Sequence, residues 1–178
     1  IKTRLHIVIT SDRGLAGAYN SNVLRQLAKQ LQADKAGEIK SQIIVVGKQA
    51  AQFITRFDDI EVIAVYREFP EHPTPNYIRP ILTTVTDKYA NVEVDAVDIL
   101  YTDFKSSISQ VVRSDRLLPA AYSEVQISDD LESADFEPSV QAVLESVTMR
   151  LIEANLTQSF FESQASEQSM RMMAMKNA

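Results

Sequence analysis

The chain has 178 residues, of which 45% are apolar and 24% are charged, and its formal net charge is −6. This balance excludes a disordered chain and a fibrous repeat, and the acidic charge argues against a general nucleic-acid-binding surface, which must be basic to neutralise phosphates. The sequence contains no apolar run of about 18 residues that could cross a bilayer, and the absence of cysteine excludes disulfides, cysteine zinc sites and thiol nucleophiles.

The first predicted elements are a buried strand, a turn and a helix. Residues 4–10 (RLHIVIT) are rich in aliphatic and β-branched side chains, and they lead directly into the turn sequence SDRG. After the turn, Asn20 or Ser21 is placed to cap a helix with apolar residues at helical spacing, and Gly37 ends that helix. The sequence therefore predicts a strand–helix unit at its start.

Strands and helices continue to alternate along the chain. The pattern predicts strands at 43–47, 61–65 and 94–104, and helices at 48–57 and 77–89. Strands that alternate with helices in this way form βαβ crossovers, which place strands in parallel and cover both faces of the sheet. The predicted fold class is therefore α/β with a mostly parallel sheet and flanking helices.

The segment 106–119 interrupts this alternation. It follows the strand at 94–104 after only a short polar stretch, which is too short for a crossover helix. We therefore expect it to pair antiparallel with that strand and to form an edge of the sheet that Pro119 closes.

An acidic segment separates this predicted domain from the end of the chain. It carries six acidic residues and no Lys or Arg: Glu124, Asp129, Asp130, Glu132, Asp135 and Glu137. Because the net charge of the whole chain is also −6, the remainder is formally neutral. We divide the chain into an α/β globular domain at 1–122, an acidic linker at 123–138 and a long helix at 139–178.

The predicted long helix carries an apolar seam. Residues 139–178 contain neither Gly nor Pro, and Pro138 is a suitable residue for starting a helix. Alternating steps of four and three residues define the seam positions Val140, Leu144, Val147, Leu151, Ala154, Gln158, Phe161, Ala165, Gln168, Met172 and Met175. Nine of these eleven are apolar, which is typical of a coiled coil. An apolar seam is costly to leave in water, and this chain supplies no second long helix to cover it, so the sequence predicts a missing partner helix.

The sequence SDRGLAGAYN lies where an α/β protein binds phosphate, between a first strand and a helix N-terminus. Gly14 and Gly17 match neither GxGxxG nor a Walker A loop, and VVGKQA around Gly47 and Lys48 fails in the same way. We favour a tight turn that needs the conformational freedom of glycine. The alternative is a small nucleotide-binding α/β domain that uses the Gly14–Gly17 loop.

The sequence shows no constellation of catalytic or metal-binding residues. His6 lies in a predicted strand as a core or sheet-face residue, and His72 lies in a proline-rich loop. The Asp pairs at 58/59 and 129/130 lie in turns or in the acidic linker, where solvation explains them. We therefore expect no catalytic residue, no cofactor and no metal site.

Several side chains near the C-terminus could face a partner. Met172 and Met175 fall on the seam, so helix packing explains at least half of the methionine cluster around them. Arg171 and Lys176 are placed either to contact an anionic partner surface or to remain as solvated helix charges.

Two segments stand out as signatures: SDRGLAGAYN at 11–20 and SQASEQSMRMMAMKNA at 163–178. Together they resemble the gamma-chain family of F-type ATP synthases. The strand–helix order between them, the Leu117-Leu118-Pro119 stop and the Phe136-Glu137-Pro138 helix start also fit that family. The resemblance therefore spans the whole chain.

The resemblance implies a Rossmann-like α/β domain at the foot of a central stalk, with N- and C-terminal helices wound into an antiparallel coiled coil. It implies a rotor that turns inside the ring of alpha and beta subunits, driven by proton flow, and that forces the three beta catalytic sites into different conformations. The implied partners are the alpha and beta subunits, the epsilon subunit and the c-ring of the membrane sector, with no nucleic acid and with membrane association only through the complex. The implied location is the cytoplasmic face of the bacterial cell membrane, with the matrix face of the mitochondrial inner membrane as the alternative.

The resemblance also implies contact or coupling residues, none of them catalytic. In the first signature these are Asp12, Arg13, Gly14, Leu15, Gly17 and Asn20. In the second they are Ser166, Glu167, Arg171, Met172, Met175 and Lys176. The family's N-terminal helix is missing ahead of Ile1, the chain stops within the second signature at Ala178, and Ala18 stands where glycine is common. No cysteine insert of the chloroplast kind is present, and we expect the gene to encode a further long helix before Ile1.

Overall fold

The computed structural model describes residues 1–120 and 139–178. Its strands are β1 (Thr3–Ile9), β2 (Lys40–Val46), β3 (Glu61–Tyr66), β4 (Ala96–Ser106) and β5 (Ser109–Leu118). Its helices are α1 (Tyr19–Ala36), α2 (Lys48–Ile54), α3 (Pro75–Ala90) and α4 (Val140–Lys176). The predicted acidic linker, with its helix start at Pro138 and its Asp pair at 129/130, lies outside the described residues.

The five strands form one sheet in the order β3-β2-β1-β4-β5. Strand β1 pairs in parallel with β2 and with β4, and β2 pairs in parallel with β3. Strand β5 runs antiparallel to β4 at one edge, because only Ser107 and Ile108 connect the two strands and so short a link forms a hairpin. The prediction of a mostly parallel α/β sheet with an antiparallel edge strand is confirmed.

Side-chain alternation along β1 divides the core into two apolar layers. Leu5, Ile7 and Ile9 belong to the layer beneath α3 and α4, whereas Val8 belongs to the layer beneath α1 and α2. All four side chains are almost completely buried. The sheet is thus covered on both faces, as the alternation of strands and helices predicted.

Helix α4 packs on the sheet over its middle and projects at its start. It has 37 residues, which makes it about 55 Å long at 1.5 Å per residue. Ile152, Leu156 and Phe160 are buried in the same apolar layer as α3, and Ser169 is the last buried residue. No residue from 140 to 151 is buried, so about three turns extend beyond the sheet.

The predicted seam lies on the side of α4 that faces away from the sheet. All eleven seam positions are exposed. Among the large apolar ones, the exposed fraction ranges from 41% at Leu151 and Phe161 to 68% at Met172. The prediction that this chain leaves the seam uncovered is therefore confirmed for the described ranges.

The predicted cap of the first helix is wrong. Helix α1 begins at Tyr19, its N-cap is Ala18, and no side chain forms a cap hydrogen bond there. The Ser21 hydroxyl donates back to the Ala18 carbonyl at 3.1 Å. Asn20 is engaged in a longer-range contact with Ser11, which local sequence rules do not anticipate.

The second helix is shorter than predicted. Helix α2 ends at Ile54, whereas the pattern continued to residue 57. The Phe53 and Phe57 rings lie 5.3 Å apart, and the Arg56 guanidinium lies 5.7 Å from the centre of the Phe53 ring. These contacts join residues beyond the last helical turn to the helix, so the apolar spacing persists after the helix has ended.

A buried polar cluster ties α1 to the sheet. The Asp34 carboxylate lies 2.7 Å from His6 Nε2 and 2.5 Å from Arg4 Nη1, and it accepts a hydrogen bond from the Ser41 hydroxyl at 3.1 Å. Burial would raise the pKa of Asp34, but the hydrogen bonds and charges of His6 and Arg4 outweigh it and lower that pKa. The prediction that His6 is a core or sheet-face histidine is confirmed, and His72 is exposed in its loop.

Candidate functional site

The loop between β1 and α1 is closed by Ser11 and Asn20. The Ser11 backbone N–H donates to Asn20 Oδ1 at 3.0 Å, and Asn20 Nδ2 donates to Ser11 Oγ at 2.7 Å. The Ser11 hydroxyl also donates to the Arg13 carbonyl at 2.5 Å. Because the Asn20 amide holds the start of the loop to its end, it is unavailable as a helix cap.

Two residues of this loop have left-handed backbone conformations. Gly17 has φ +57°, which glycine adopts without strain, so the predicted glycine turn is confirmed at this position. Gly14 does not adopt a positive φ, and a Cβ there would meet nothing within 4 Å. Leu15 has φ 62° and a side chain that is 77% exposed, an arrangement that costs about 1 kcal/mol or more. A strained, exposed apolar residue at a loop tip supports the hypothesis that Leu15 contacts a partner.

The first backbone N–H groups of α2 bond to the end of β1 and to the loop. Lys48 N donates to Asp12 Oδ1 at 2.9 Å, and Ala50 N donates to Thr10 Oγ1 at 3.0 Å. Gly47 permits this close approach, since it has φ +96° and a Cβ there would lie 2.3 Å from the Thr10 carbonyl oxygen. These backbone N–H groups at the start of α2 are therefore already bonded within the chain.

The structure brings the two signature segments together. Arg171 Nη2 of α4 donates to the Gly14 carbonyl at 3.4 Å, across 157 residues of sequence, and pairs with Glu167 at 2.8 Å. A Cβ at Gly17 would lie 3.8 Å from the Met170 carbonyl oxygen, so the loop packs on the backbone of α4. The candidate site is therefore one surface that is built from the loop and from the last turns of α4.

Tyr19 is a buried residue that connects this surface to the core. It is 1% exposed, and its hydroxyl is hydrogen-bonded to the Ser163 side chain of α4. Burial raises the pKa of Tyr19, and the Ser163 hydrogen bond offsets that rise only in part. The first residue of α1 therefore packs against α4, which links the loop to the helix through the core.

Serine hydroxyls of α4 form hydrogen bonds with backbone groups of β4, at the part of β4 that extends beyond its pairing with β1. The last β1–β4 pair is Val8 with Leu100, so β4 has no β1 partner beyond that point. Ser163 Oγ accepts from Thr102 N at 3.1 Å, and Ser166 Oγ donates to the Thr102 carbonyl at 3.3 Å. Because buried backbone groups need hydrogen-bond partners, α4 here takes the place of a neighbouring strand.

The predicted contact residues divide into surface and interior positions. The exposed ones are Arg13, Gly14, Leu15, Gly17, Met172, Met175 and Lys176. The partly buried ones are Asp12, Asn20, Glu167 and Arg171, and Ser166 is fully buried. The structure thus gathers both predicted sets at one end of the molecule, and the contact role of each residue stays a prediction.

Several residues that organise the site were not predicted from the sequence. Tyr19 and the buried serines Ser159, Ser163 and Ser169 are the main ones. The serines recur with Ser166 at spacings of three or four residues on one face of α4. That spacing was a usable signal, because a stripe of small residues lets a helix approach a neighbouring backbone closely.

A cleft of about 710 Å³ opens at the carboxyl ends of β1 and β2, beside the site. Arg13, Lys48 and Arg67 line it, and within the described part of the chain these side chains form no ion pair. The stacked rings of Phe69 and Phe160, 4.5 Å apart, form its apolar side.

Residues 1–120 and 139–178 contain no group of three or more His, Asp or Glu side chains that could hold a metal ion. In the same ranges, no helix combines the length and the apolar character needed to span a membrane.

Comparison with known proteins reveals a family match over the whole chain. A family model described as ATP synthase matches residues 1–178. The ATP synthase gamma chain of Clostridium novyi (strain NT) is 32% identical, and the match covers 100% of this chain and 61% of that relative. The ATP synthase gamma chain of Staphylococcus carnosus (strain TM300) is also 32% identical, with 100% of this chain and 62% of the relative covered. The chain therefore spans about three fifths of the length of these curated relatives.

Solved structures share the fold. A chain of the central stalk and c-ring of the Tetrahymena thermophila mitochondrial ATP synthase aligns with a TM-score of 0.71 at 22% identity, over 99% of this chain and 76% of that chain. A chain of the Euglena gracilis mitochondrial ATP synthase rotor aligns with a TM-score of 0.71 at 18% identity, over 99% of this chain and 66% of that chain. At these identities, the likeness shows that the architecture, including the long C-terminal helix, is shared.

Proposed function

This chain belongs to the ATP synthase family as a gamma chain, and from that premise we propose that it is part of the central-stalk rotor of an F-type ATP synthase. In this role it couples proton translocation in the membrane sector to ATP synthesis or hydrolysis at the beta-subunit catalytic sites. The proposal rests on the observation that α4 has two faces with different roles. One face of the helix is fixed to the sheet, and the other presents an uncovered apolar seam.

The seam requires a long, complementary partner. Leu144 and Val147 are more than half exposed on the projecting turns of α4. A second long helix, contributed by polypeptide outside these 178 residues, would remove these side chains from water and form the coiled coil that stiffens the shaft. The greater length of the relatives leaves room for such a helix.

The candidate site supports contact with the catalytic ring. Leu15 at the loop tip and Met172, Met175 and Lys176 on α4 are exposed at the end of the molecule where the two signatures meet. We assign this end to the alpha and beta subunits, and the rest of the α/β domain to the epsilon subunit and the c-ring. Nucleic acid has no part in this role, and attachment to the cytoplasmic face of a bacterial membrane occurs through the complex alone.

The chain has no catalytic function in this proposal. Its buried histidine, His6, is held against Asp34 on the inner side of α1, away from the cleft and from solvent. Catalysis by a nucleophile needs a base within hydrogen-bond reach in an accessible pocket. The beta subunits therefore supply the chemistry, and this chain supplies the asymmetric surface.

A charge placed on the seam tests this proposal. Val147→Glu and the control Ser146→Glu add the same charge to neighbouring exposed positions of α4, but only Val147 belongs to the seam. We expect both variants of the 178-residue chain to unfold within about 0.5 kcal/mol of wild type, because both sites are exposed. In the full-length gene product, co-expressed with its alpha and beta subunits, Val147→Glu should lower co-elution with the ring at least tenfold, and Ser146→Glu should not. Equal assembly of the two variants would contradict the proposal.

The alternative function is a small nucleotide-binding domain, and the cleft at the carboxyl ends of β1 and β2 is the observation in its favour. The bonds from Lys48 N to Asp12 and from Ala50 N to Thr10 weigh against binding at the start of α2, since they occupy two of its backbone donors. Calorimetry with ATP, NAD and FMN separates the two functions. Micromolar binding of any of them by this chain would favour the alternative.

A further inference from the structure

Strand β3 lies at one edge of the sheet. Among the strands at 1–120 and 139–178, only β2 pairs with it, so the backbone groups on its outer side have no neighbouring strand in these ranges. A strand edge of this kind presents a row of N–H donors and C=O acceptors, which is a template for pairing with another strand. Strand β3 is therefore a candidate interaction surface.

The side chains of β3 give this edge little protection. Residues 62–66 (VIAVY) include no charged residue and no proline. The Val62 and Val65 side chains are 42% and 44% exposed. Sheets commonly protect their edges with charged side chains, and the opposite edge strand, β5, does so with the exposed residues Arg113 and Arg116. The two edges of the sheet thus differ in character.

A β-bulge places both exposed valines on one face of the sheet. Strand β3 has one extra residue at Ile63, which opposes no residue of β2. Without a bulge, side chains three positions apart would point to opposite faces. Val62 pairs with Ile43 of β2. Val65 pairs with Val45, and both β2 residues belong to the apolar layer beneath α1 and α2.

We propose that β3 is a docking edge for a second copy of this chain, whose own β3 pairs with it in the antiparallel direction. A two-fold axis relates the copies, so a register that sets Val62 of one copy opposite Val65 of the other repeats itself across the axis. Cross-strand pairs of β-branched side chains stabilise a sheet, and here they remove the exposed valines of both copies from water. This surface is separate from the seam of α4 and does not depend on the function proposed above.

The charges at the two ends of β3 are complementary in this register. Arg67 directly follows the strand, is exposed, and forms no ion pair within the described ranges. Antiparallel pairing sets Tyr66 of one copy opposite Glu61 of the other, so Arg67 comes next to that carboxylate. Glu61 already pairs with Lys40 at 2.7 Å, but its side chain remains 46% exposed. Each end of the strand pair would therefore join a cation to a carboxylate, and no like charges would lie opposite each other.

The association should be weak because the surface is small. Strand β3 has six residues, which makes it about 20 Å long. Stable interfaces bury about 1,600 Å² in total, which is more than one pair of such strands provides. We therefore expect a dimer that forms reversibly and only at high protein concentration.

Sedimentation equilibrium of the 178-residue chain measures this association. Every chain compared carries Val147→Glu, so that the α4 seam does not associate. Val65→Lys places a charge in the proposed interface, and Val111→Lys makes the same change at a valine of β5 that is 47% exposed. We expect Val65→Lys to raise the Kd of the dimer at least about tenfold, because each dimer contains position 65 twice. Val111→Lys should leave the Kd unchanged, and urea unfolding should show that both variants are folded.

Disulfide crosslinking tests the register, since the chain has no cysteine of its own. Positions 62 and 65 of one copy are about 10 Å apart along the strand, which is too far for a disulfide, so any disulfide in Val62→Cys/Val65→Cys must join two copies. On oxidation, this double variant should form a covalent dimer. Neither position opposes itself in the antiparallel register, so Val62→Cys and Val65→Cys as single variants should remain monomers under the same conditions.

Three results would overturn the proposal. The first is a chain that stays monomeric up to millimolar concentration, and the second is a dimer that Val65→Lys and Val111→Lys weaken equally. The third is a monomeric chain whose co-elution with the alpha and beta subunits is lowered by Val65→Lys, since that result would assign the edge to another subunit. Crosslinking of the single cysteine variants would equally contradict the antiparallel pairing, because it would indicate parallel strands in register.

Discussion

Truncation of Leu156 tests whether α4 is part of the core of this molecule. Leu156 is completely buried in the layer that contains α3 and the underside of the sheet. Leu156→Ala removes buried apolar surface and leaves a cavity between packed elements, which costs about 2–5 kcal/mol in comparable cores. Since whole domains are stable by only about 5–15 kcal/mol, this is a large fraction of the total.

The same substitution at Leu144 is the control. Leu144 lies on the same helix, twelve residues earlier, and is 56% exposed. Alanine is at least as good a helix former as leucine, so we expect Leu144→Ala to change the free energy of unfolding by no more than about 0.5 kcal/mol. Helix propensity therefore cannot account for a large difference between the two variants.

The assay is urea unfolding of both variants and of wild type, followed by far-UV circular dichroism. We expect a lower transition midpoint for Leu156→Ala with an unchanged slope, because a cavity lowers stability without changing the surface exposed on unfolding. The reasoning is refuted if the two variants have the same midpoint, or if Leu156→Ala changes only the amplitude of the helical signal. Either result would mean that α4 is an appendage and that the sheet folds without it.

Two further predictions concern the backbone and pH. Gly47→Ala should lower the free energy of unfolding by about 2–4 kcal/mol, because it combines a positive φ with a Cβ in contact with a neighbouring carbonyl. Gly14→Ala should be neutral or should stabilise the fold by up to about 1 kcal/mol. Thermal unfolding of both variants measures the difference. The lowered pKa of Asp34 stabilises the fold above its unfolded pKa, and that stability is lost as the pH falls through the folded pKa. The free energy of unfolding in urea should therefore decrease on acidification below about pH 4. Asp34→Asn leaves His6 and Arg4 without their carboxylate, so it should lower the free energy of unfolding by about 3 kcal/mol near neutral pH. The variant should also show a weaker dependence of stability on acid pH.

Much of the fold could be predicted because its strands are buried on both faces. A run such as IIVVG at 43–47 is apolar without interruption, and this pattern is typical of a parallel strand between two helical layers. The antiparallel edge also followed from chain length, since the connection before β5 is too short for a crossover. In both cases the signal is local, so no knowledge of distant residues was needed.

The features that were missed depend on contacts between distant residues. Asn20 had the residue type of a helix cap, but its amide bonds to Ser11 across the loop instead. Arg171 reaches the Gly14 carbonyl across 157 residues of sequence, so nothing in either local sequence indicated this contact.

The inner face of α4 was hidden for another reason. A coiled-coil pattern is defined by apolar residues, whereas Ser163 and Ser166 are polar although they are among the most buried positions of the helix. The seam was therefore predicted correctly, while the face that attaches the helix to the sheet was not.

The serine stripe has a mechanical consequence. Ser163, Ser166 and Ser169 each reach the backbone of the β4–β5 hairpin through a single rotatable side-chain bond. These short side chains have little conformational freedom, so the helix and the hairpin can move only slightly relative to each other. Long charged side chains have several rotatable bonds and would permit more relative movement. A torque applied to the free end of the helix would therefore be passed to the sheet with little internal rotation between the two.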